Sequence, residues 1–325
     1  MPNKYAEKKK WTLKKQHYKV TNWPEYNESL RRRGAIDVWL SEDAIMNWVE
    51  EDQRPDGTGT PKHYTDFAII ICHELRQVYR LPLRQTQGFI DSLFRRMKIK
   101  LRCPDFSTLS KRLCTLNIKV PRYRKTDRPD NHVHAVAIDS TGLKRFGRGE
   151  WHQEKYSLSA KASWRKLHIG VNEDHYIEAC VLTNRFGNDD QQVGALLDQI
   201  EQPIKHFTAD GAYDETPIYE AILAHSPAAD IVIPPRATAI VRDDAAPMRN
   251  RNLTEIKTHG RMEWQRKRRY GQRNFSELAV QRYQRILGDS MHARELKRQQ
   301  QEAMIGCGII NKMTSLGMPR SYRSA

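Results

Sequence analysis

The chain has 325 residues, and its 55 lysines and arginines against 39 acids give a formal charge of +16, a bias that points to a polyanionic partner because solubility asks for far less. Its length implies roughly two domains, and a hydrophobic share of 38%, below the globular average, confines the core to the middle of the chain and leaves the ends polar. No apolar run reaches a transmembrane length, the first ten residues lack the apolar segment of a signal peptide, and five scattered cysteines without a C-x-x-C pair give neither a zinc site nor a disulfide framework, so a reduced, cytoplasmic protein is expected.

Residues 1–34 form a basic arm with Trp11, Trp23 and Tyr26 interleaved and Arg31, Arg32 and Arg33 at its end. It is either a solvated tail or a segment that neutralises phosphates. Residues 35–125 read as a helical domain. Ser41 ahead of Glu42 and Asp43 is a helix start with acids in the first turn. Glu51 to Pro61 is a polar turn segment. Tyr64 to Tyr79 is a helix with Phe67, Ile70, Ile71, Leu75 and Val78 along one face, in which Cys72 is buried beside an exposed His73. Pro82 opens a helix over Leu83 to Phe94, and Asp105 or Ser107 caps another over Thr108 to Leu113. Two short helices around a turn, the second carrying Lys111 and Arg112, suit a helix-turn-helix with those cations toward a DNA major groove; plain packing is the alternative.

A basic, proline-marked linker over residues 121–131 separates this region from a third, 126–325, where the pattern changes to strands. These are expected over Val133 to Ile138, Arg165 to Val171, Tyr176 to Leu182, Lys205 to Ala209 and Ile231 to Pro235. Helices fall after Asp189 and over Thr216 to Leu223. Three strands, helix, strand, helix, strand, helix is the order of a ribonuclease H-like mixed α/β sheet flanked by helices.

Three acids stand out. Asp139 ends the first strand, where a carboxylate is costly unless paired or metal-bound. Asp210 follows the fourth strand before Gly211, as a ligand or as a turn aspartate. Glu277 lies on a helix whose Phe275, Ala279, Tyr283 and Ile286 form the packing stripe, and it falls off that stripe. Tyr270, Arg273 and Glu277 share a face at i, i+3, i+7 spacing, and an Arg273–Glu277 surface pair is the alternative use. Glu255 and Glu263 are rival third acids. Asp214 reads as an N-cap, and Asp189 and Asp190 as helix N-terminal acids. Two carboxylates at strand ends and a third on a later helix can converge on paired magnesium (or manganese) ions and cleave or join phosphodiesters by in-line displacement. The basic run from Arg249 to Arg273, with Arg266, Lys267, Arg268 and Arg269 at its heart, would hold a phosphate backbone against those acids.

These motifs together resemble the DDE transposases of bacterial insertion sequences, in the insertion sequence five group. Asn22-Trp-Pro-Glu-Tyr-Asn27, Leu83-Arg-Gln-Thr86, Asp139-Ser-Thr-Gly-Leu-Lys144, Trp164-Arg-Lys-Leu167, Ala209-Asp-Gly-Ala-Tyr-Asp214 and Leu316-Gly-Met-Pro319 carry the resemblance along nearly the whole chain. It implies a metal-binding triad of Asp139, Asp210 and Glu277. It also implies that Tyr270 and Arg273 belong to a Y-x2-R-x3-E-x6-K signature whose final lysine is Gln284 here, a departure. Lys144 joins the expected DNA contacts. The implied partners are double-stranded DNA, as transposon ends and target, and a second copy in an end-paired homodimer; the implied location is cytoplasmic and nucleoid-associated. The alternative, resting on Gln284, is a DNA-binding protein without catalysis derived from a transposase.

Overall fold

The computed structural model describes residues 17–50, 63–120, 133–145, 164–236, 238–242 and 246–324. The first half of the expected arm, the polar segment after Glu51 and the basic linker lie outside the described residues. No helix among them is long and apolar enough to cross a membrane.

The N-terminal half begins with strand β1 (His17–Val20) and helices α1 (Trp23–Arg33), α2 (Ile36–Trp39) and α3 (Glu42–Met46). Ser41 caps α3 by accepting from the Ala44 N–H, as the sequence predicts. Helix α4 (Asp66–Val78) is capped by Thr65. Its face is turned from the expected one: Ala68, Ile69, Ile71, Cys72 and Leu75 are buried, whereas Phe67 is exposed. His73 is buried too, against the expectation, because α4 is covered by neighbouring helices on more than one side. Its Nε2 lies 3.1 Å from the Leu109 carbonyl, which can only accept. Helix α5 (Leu83–Arg96) and helix α6 (Phe106–Leu113) follow, and Asp105 caps α6 through the Ser107 N–H at 2.8 Å. The nine residues between α5 and α6 make a longer connection than the three or four of a helix-turn-helix.

A five-stranded mixed sheet follows. It consists of β2 (Val133–Lys144), β3 (Trp164–Asn172), β4 (Ile177–Asn184), β5 (Ile204–Thr208) and β6 (Asp230–Val232), in the order β4-β3-β2-β5-β6. β3 is antiparallel to β2 and β4, while β5 and β6 run parallel to β2. Between strands lie α7 (Val193–Leu197), entered through a short 3-10 turn, and α8 (Thr216–His225). The basic run holds two helices the sequence reading did not resolve, α9 (Pro247–His259) and α10 (Arg261–Lys267). A 3-10 turn over Tyr270–Arg273 then leads into α11 (Asn274–Leu287), and α12 (Leu296–Ser315) precedes a last strand, β7 (Ser321–Ser324).

Each face of the sheet has its own core. On one, Val136, Ile138 and Phe207 pack with α7 and α8. On the other, Leu143, Leu167 and Ile169 join α11, α12 and the N-terminal helices in one continuous cluster from Trp39 to Met313. The boundary expected near residue 125 is therefore not a break in packing. Helix α12 sits between sheet and helical region, buried without interruption from Ile305 to Asn311, as befits an enclosed helix. Asn311 exchanges two 2.8 Å hydrogen bonds with the backbone of Ile177. Gly306 lets Tyr283 lie against the helix: a Cβ there would stand 2.7 Å from the phenol oxygen.

The segment read as an arm is partly folded. β1 pairs antiparallel with β7, the Asn22 side chain bonds Met318 O and Arg320 N at 3.1 and 2.7 Å, and Arg33 bonds Gly317 O at 2.7 Å.

Candidate active site

Strand β2 does not end at Asp139, as the Ser-Thr-Gly that follows suggested. It runs on to Lys144 because β3 keeps pairing with it through Lys144↔Trp164. The parallel partner β5 stops earlier, the last pair being Ala137↔Thr208. Continuing that register by two residues sets Asp139 level with Asp210. One aspartate thus lies within the central strand and the other just past its neighbour's end, a consequence of strand lengths alone.

Burial holds the Asp139 carboxyl above the ordinary aspartate range, with Asp210 and Glu277 adding to the effect and the Ser140 N–H and Arg273 opposing it. Asp210 also serves its own loop, accepting from the Ala212 N–H at 2.8 Å, so the turn role weighed from sequence is present. Glu277 stands in the first turn of α11, half exposed, and pairs with Arg273. The same guanidinium reaches Asp139 at 3.8 Å. Burial works against the Arg273 charge, but Tyr270, Glu277, Asp139 and Asp210 together hold it above the usual arginine value. Tyr270 lies 6.0 Å from that guanidinium, and its ring is 5.2 Å from that of Trp264. The 3-10 turn thus brings Tyr270, Arg273 and Glu277 to the two aspartates. Tyr270, Arg273 and Glu277 line a cleft of about 710 Å³ together with Met262, Arg266 and Arg269.

Gln284, two turns further along α11, donates to the Thr141 hydroxyl at 2.8 Å. It ties the helix of Glu277 to the strand of Asp139. The rival acids are engaged elsewhere. Glu255 is held at about 2 by Arg268, at 2.7 Å, and by Lys267, and Glu263 pairs with Arg266. Of the expected DNA-contacting cations, Lys111 is exposed, whereas Arg112 turns inward to the Tyr64 carbonyl and Asp66. Lys144 is exposed and paired with Asp289 at 3.0 Å. Arg266, Lys267 and Arg268 each have an acid partner, and Arg269 enters the cleft from a left-handed backbone.

Two features escaped the sequence reading. Asp189 is no simple helix-start acid: its oxygens lie 3.0 Å from Lys166 Nζ and 3.2 Å from His168 Nδ1. His168, foremost, holds it well below the ordinary aspartate range. The Ser140 hydroxyl sits against it as well, on the face of β2 opposite Asp139. Asp214, expected as an N-cap, is buried in a two-point ion pair with Arg249 at 3.1 and 3.2 Å. Arg249 is one of several basic residues on α9, and no local pattern distinguishes it as the partner of Asp214.

The sequence matches a family model described as "Transposase DDE domain" over residues 134–312, more than half of the chain, and a second model of the same description over residues 31–148. The chain belongs to the DDE transposase family, whose members act on DNA in transposition. Enzymes of this family typically use divalent metal ions. Among solved structures, a piggyBac transposase synaptic complex with hairpin DNA is similar at 11% identity and a TM-score of 0.38, covering 91% of this chain and 76% of that one.

Proposed function

We propose that the protein is a transposase of the insertion sequence five group that binds the terminal inverted repeats of its element and cuts and joins their strands. The observation that carries this is the placing of Asp139, within β2, level with Asp210, just past the end of β5, with Glu277 tied to the guanidinium that also reaches Asp139. The sheet order, with its second strand antiparallel and its last two parallel to the first, supports a ribonuclease H-like fold for residues 126–325.

Carboxylate oxygens suit magnesium, which prefers hard ligands. Among the described residues no group of three or more His, Cys, Asp or Glu is arranged to hold an ion; Arg273 supplies the counter-charge that the acids need. The donor set fits the metal in chemistry, and Asp139, Asp210 and Glu277 would hold it. Two bound ions supply an activated water or 3′ hydroxyl and a stabilised leaving oxygen. Arg273, facing Asp139 from the cleft wall, orients the scissile phosphate and offsets its charge. The wall of Arg266 and Arg269 receives the adjoining backbone. The helical region of residues 35–125, with Lys111 exposed on α6, supplies recognition, and joining two ends requires at least a homodimer.

The test is cleavage and joining of a labelled element-end duplex with magnesium or with chelator, wild type beside Asp139→Asn and Glu277→Gln. Magnesium-dependent nicking and joining, lost in both variants while DNA binding stays, is expected. Cleavage by Asp139→Asn with binding intact would overturn the site assignment.

A further inference from the structure

Beyond Asp139 the strands continue to a surface that the catalytic reading does not use. Lys144 pairs with Trp164, and the register Arg165↔Asn184, continued by one residue, brings Arg185 beside Trp164. The ends of β2, β3 and β4 thus line up Lys144, Trp164 and Arg185, with Phe186 next in the chain. Trp164 is 50% exposed and Phe186 73%. The Arg185 guanidinium stacks 4.4 Å from the Phe186 ring centroid. Arg145, exposed next to Lys144, and Arg165 lie close enough to repel: burial first, and then Arg145, lowers the Arg165 pKa. Of the acids nearby, Asp289 partners Lys144 and Asp189 turns inward to Lys166 and His168.

Two large rings held in water by a scaffold this well paired call for an occupant. Like-charge crowding argues against a second copy of the same patch, which a two-fold contact would set against itself. Cations interleaved with aromatic faces match a DNA duplex, whose phosphates take the charge and whose sugars lie against the rings. The location fits as well. Lys144 is five residues past Asp139, roughly 16 Å at about 3.3 Å per residue, close to the rise of about five base pairs at 3.4 Å each. The surface lies on the β3–β4 side of the acids. The cleft of Arg269 and Arg273 lies on the other side, since the Tyr270–Arg273 turn packs on β2 and β5.

We propose that Trp164, Arg185 and Phe186, with Lys144 and Arg145 beside them, bind the DNA duplex that flanks the scissile phosphate, about five base pairs from it. This rests on the reading that the acids around Asp139 act on DNA.

The experiment is fluorescence anisotropy of the full chain on a 40-bp duplex (a length of about 40 base pairs spans the site amply) with chelator present, so that binding is read without chemistry. Wild type is compared with Trp164→Ala/Phe186→Ala, with Arg185→Ala and with the ring-conserving Trp164→Phe/Phe186→Tyr. The double alanine variant is expected to bind about tenfold more weakly, a loss of roughly 1.4 kcal/mol of sugar and backbone contact. The ring-conserving variant is expected to recover most of that loss. Arg185→Ala should lower the slope of log affinity against log salt by about one. Unchanged affinity and slope in variants with a wild-type circular dichroism spectrum overturn the proposal. So does a loss that ring-conserving replacement fails to recover, or one accompanied by a change in sedimentation, which would make the surface a contact between copies. Failure of the catalytic reading is separate: it would appear as metal-dependent cleavage surviving in Asp139→Asn, whatever these variants bind.

Discussion

Asp214→Asn is the most informative single perturbation of the fold. Asp214 and Arg249 are both buried, their side chains 1% and 9% exposed, and both carboxylate oxygens accept from the guanidinium. Tyr219 adds a hydrogen bond at 3.3 Å. Asparagine preserves the shape and removes the charge, leaving the Arg249 guanidinium without its counter-ion in a low-dielectric setting. Breaking a buried pair from one side costs about 3–5 kcal/mol. The helical region and one face of the sheet share a core, which favours unfolding of the chain as a unit. At roughly 2.1 cal/mol/K per residue its unfolding entropy is about 0.7 kcal/mol/K, which converts that loss into a Tm lower by roughly 4–7 °C. Thermal melting followed by circular dichroism reads it directly. Replacing both partners, as Asp214→Leu with Arg249→Met, should recover much of the loss, because no lone charge remains. A shift under about 1 °C for Asp214→Asn, or a double variant no more stable than the single, would refute the reasoning.

Other perturbations have equally definite outcomes. Burial lowers the His73 pKa from an ordinary value of 6.5 to about 4. The unfolded chain therefore binds a proton that the folded chain refuses between those values, and stability falls by roughly 3 kcal/mol as pH drops from about 6.5 to about 4; His73→Gln should flatten that limb in urea melts. Asp189→Asn should cost about 1–3 kcal/mol at pH 7 by weakening the charge-assisted bond from Lys166 and the contact with His168. Since the Asp189 pKa is depressed by folding, its contribution exists above the ordinary aspartate value and fades in wild type as acid is added, so the two melting curves should converge there. Gly306→Ala, which sets a methyl group against the Tyr283 ring, should destabilise by about 1–3 kcal/mol, and Gly306→Ala with Tyr283→Phe should relieve only part of it, because the ring carbon at the same distance remains. Gln284→Ala should cost about 1 kcal/mol through the lost bond to Thr141, measured by chemical denaturation, and a cost near zero would remove Gln284 as a tie between α11 and β2.

What the sequence made legible follows from the range over which its signals act. Ser41 and Asp105 announced their helices because a cap is a contact of two or three residues. The strands from Val133, Ile204 and Asp230 were visible as apolar runs closed by turn residues. The extension of β2 through Ser140 and Thr141 was hidden, since those residues read as a loop until their antiparallel partners His168 and Leu167 are known. Arg112 and His73 were taken as outward-facing because helical periodicity gives a face but not how many neighbours cover the helix. Asp139, Asp210 and Glu277 stood out one by one. What brings them near one another is the unequal length of β2 and β5 and the 3-10 entry to α11, and neither is a local property. Asp214 and Asp189 were given local roles for the same reason, while their partners Arg249, Lys166 and His168 arrive from other elements.

The clasp between β1 and β7 gives the molecule a schedule. Thr21 donates to Arg320, 299 residues later in the chain. During translation, at about 5–20 residues per second, the first folded strand of this structure waits roughly 15–60 s for its partner. Through that interval β1 presents an unpaired edge, and α4 lacks the α12 face against which it packs. Among the described residues, β1 can therefore complete its pairing only after β7 has been made.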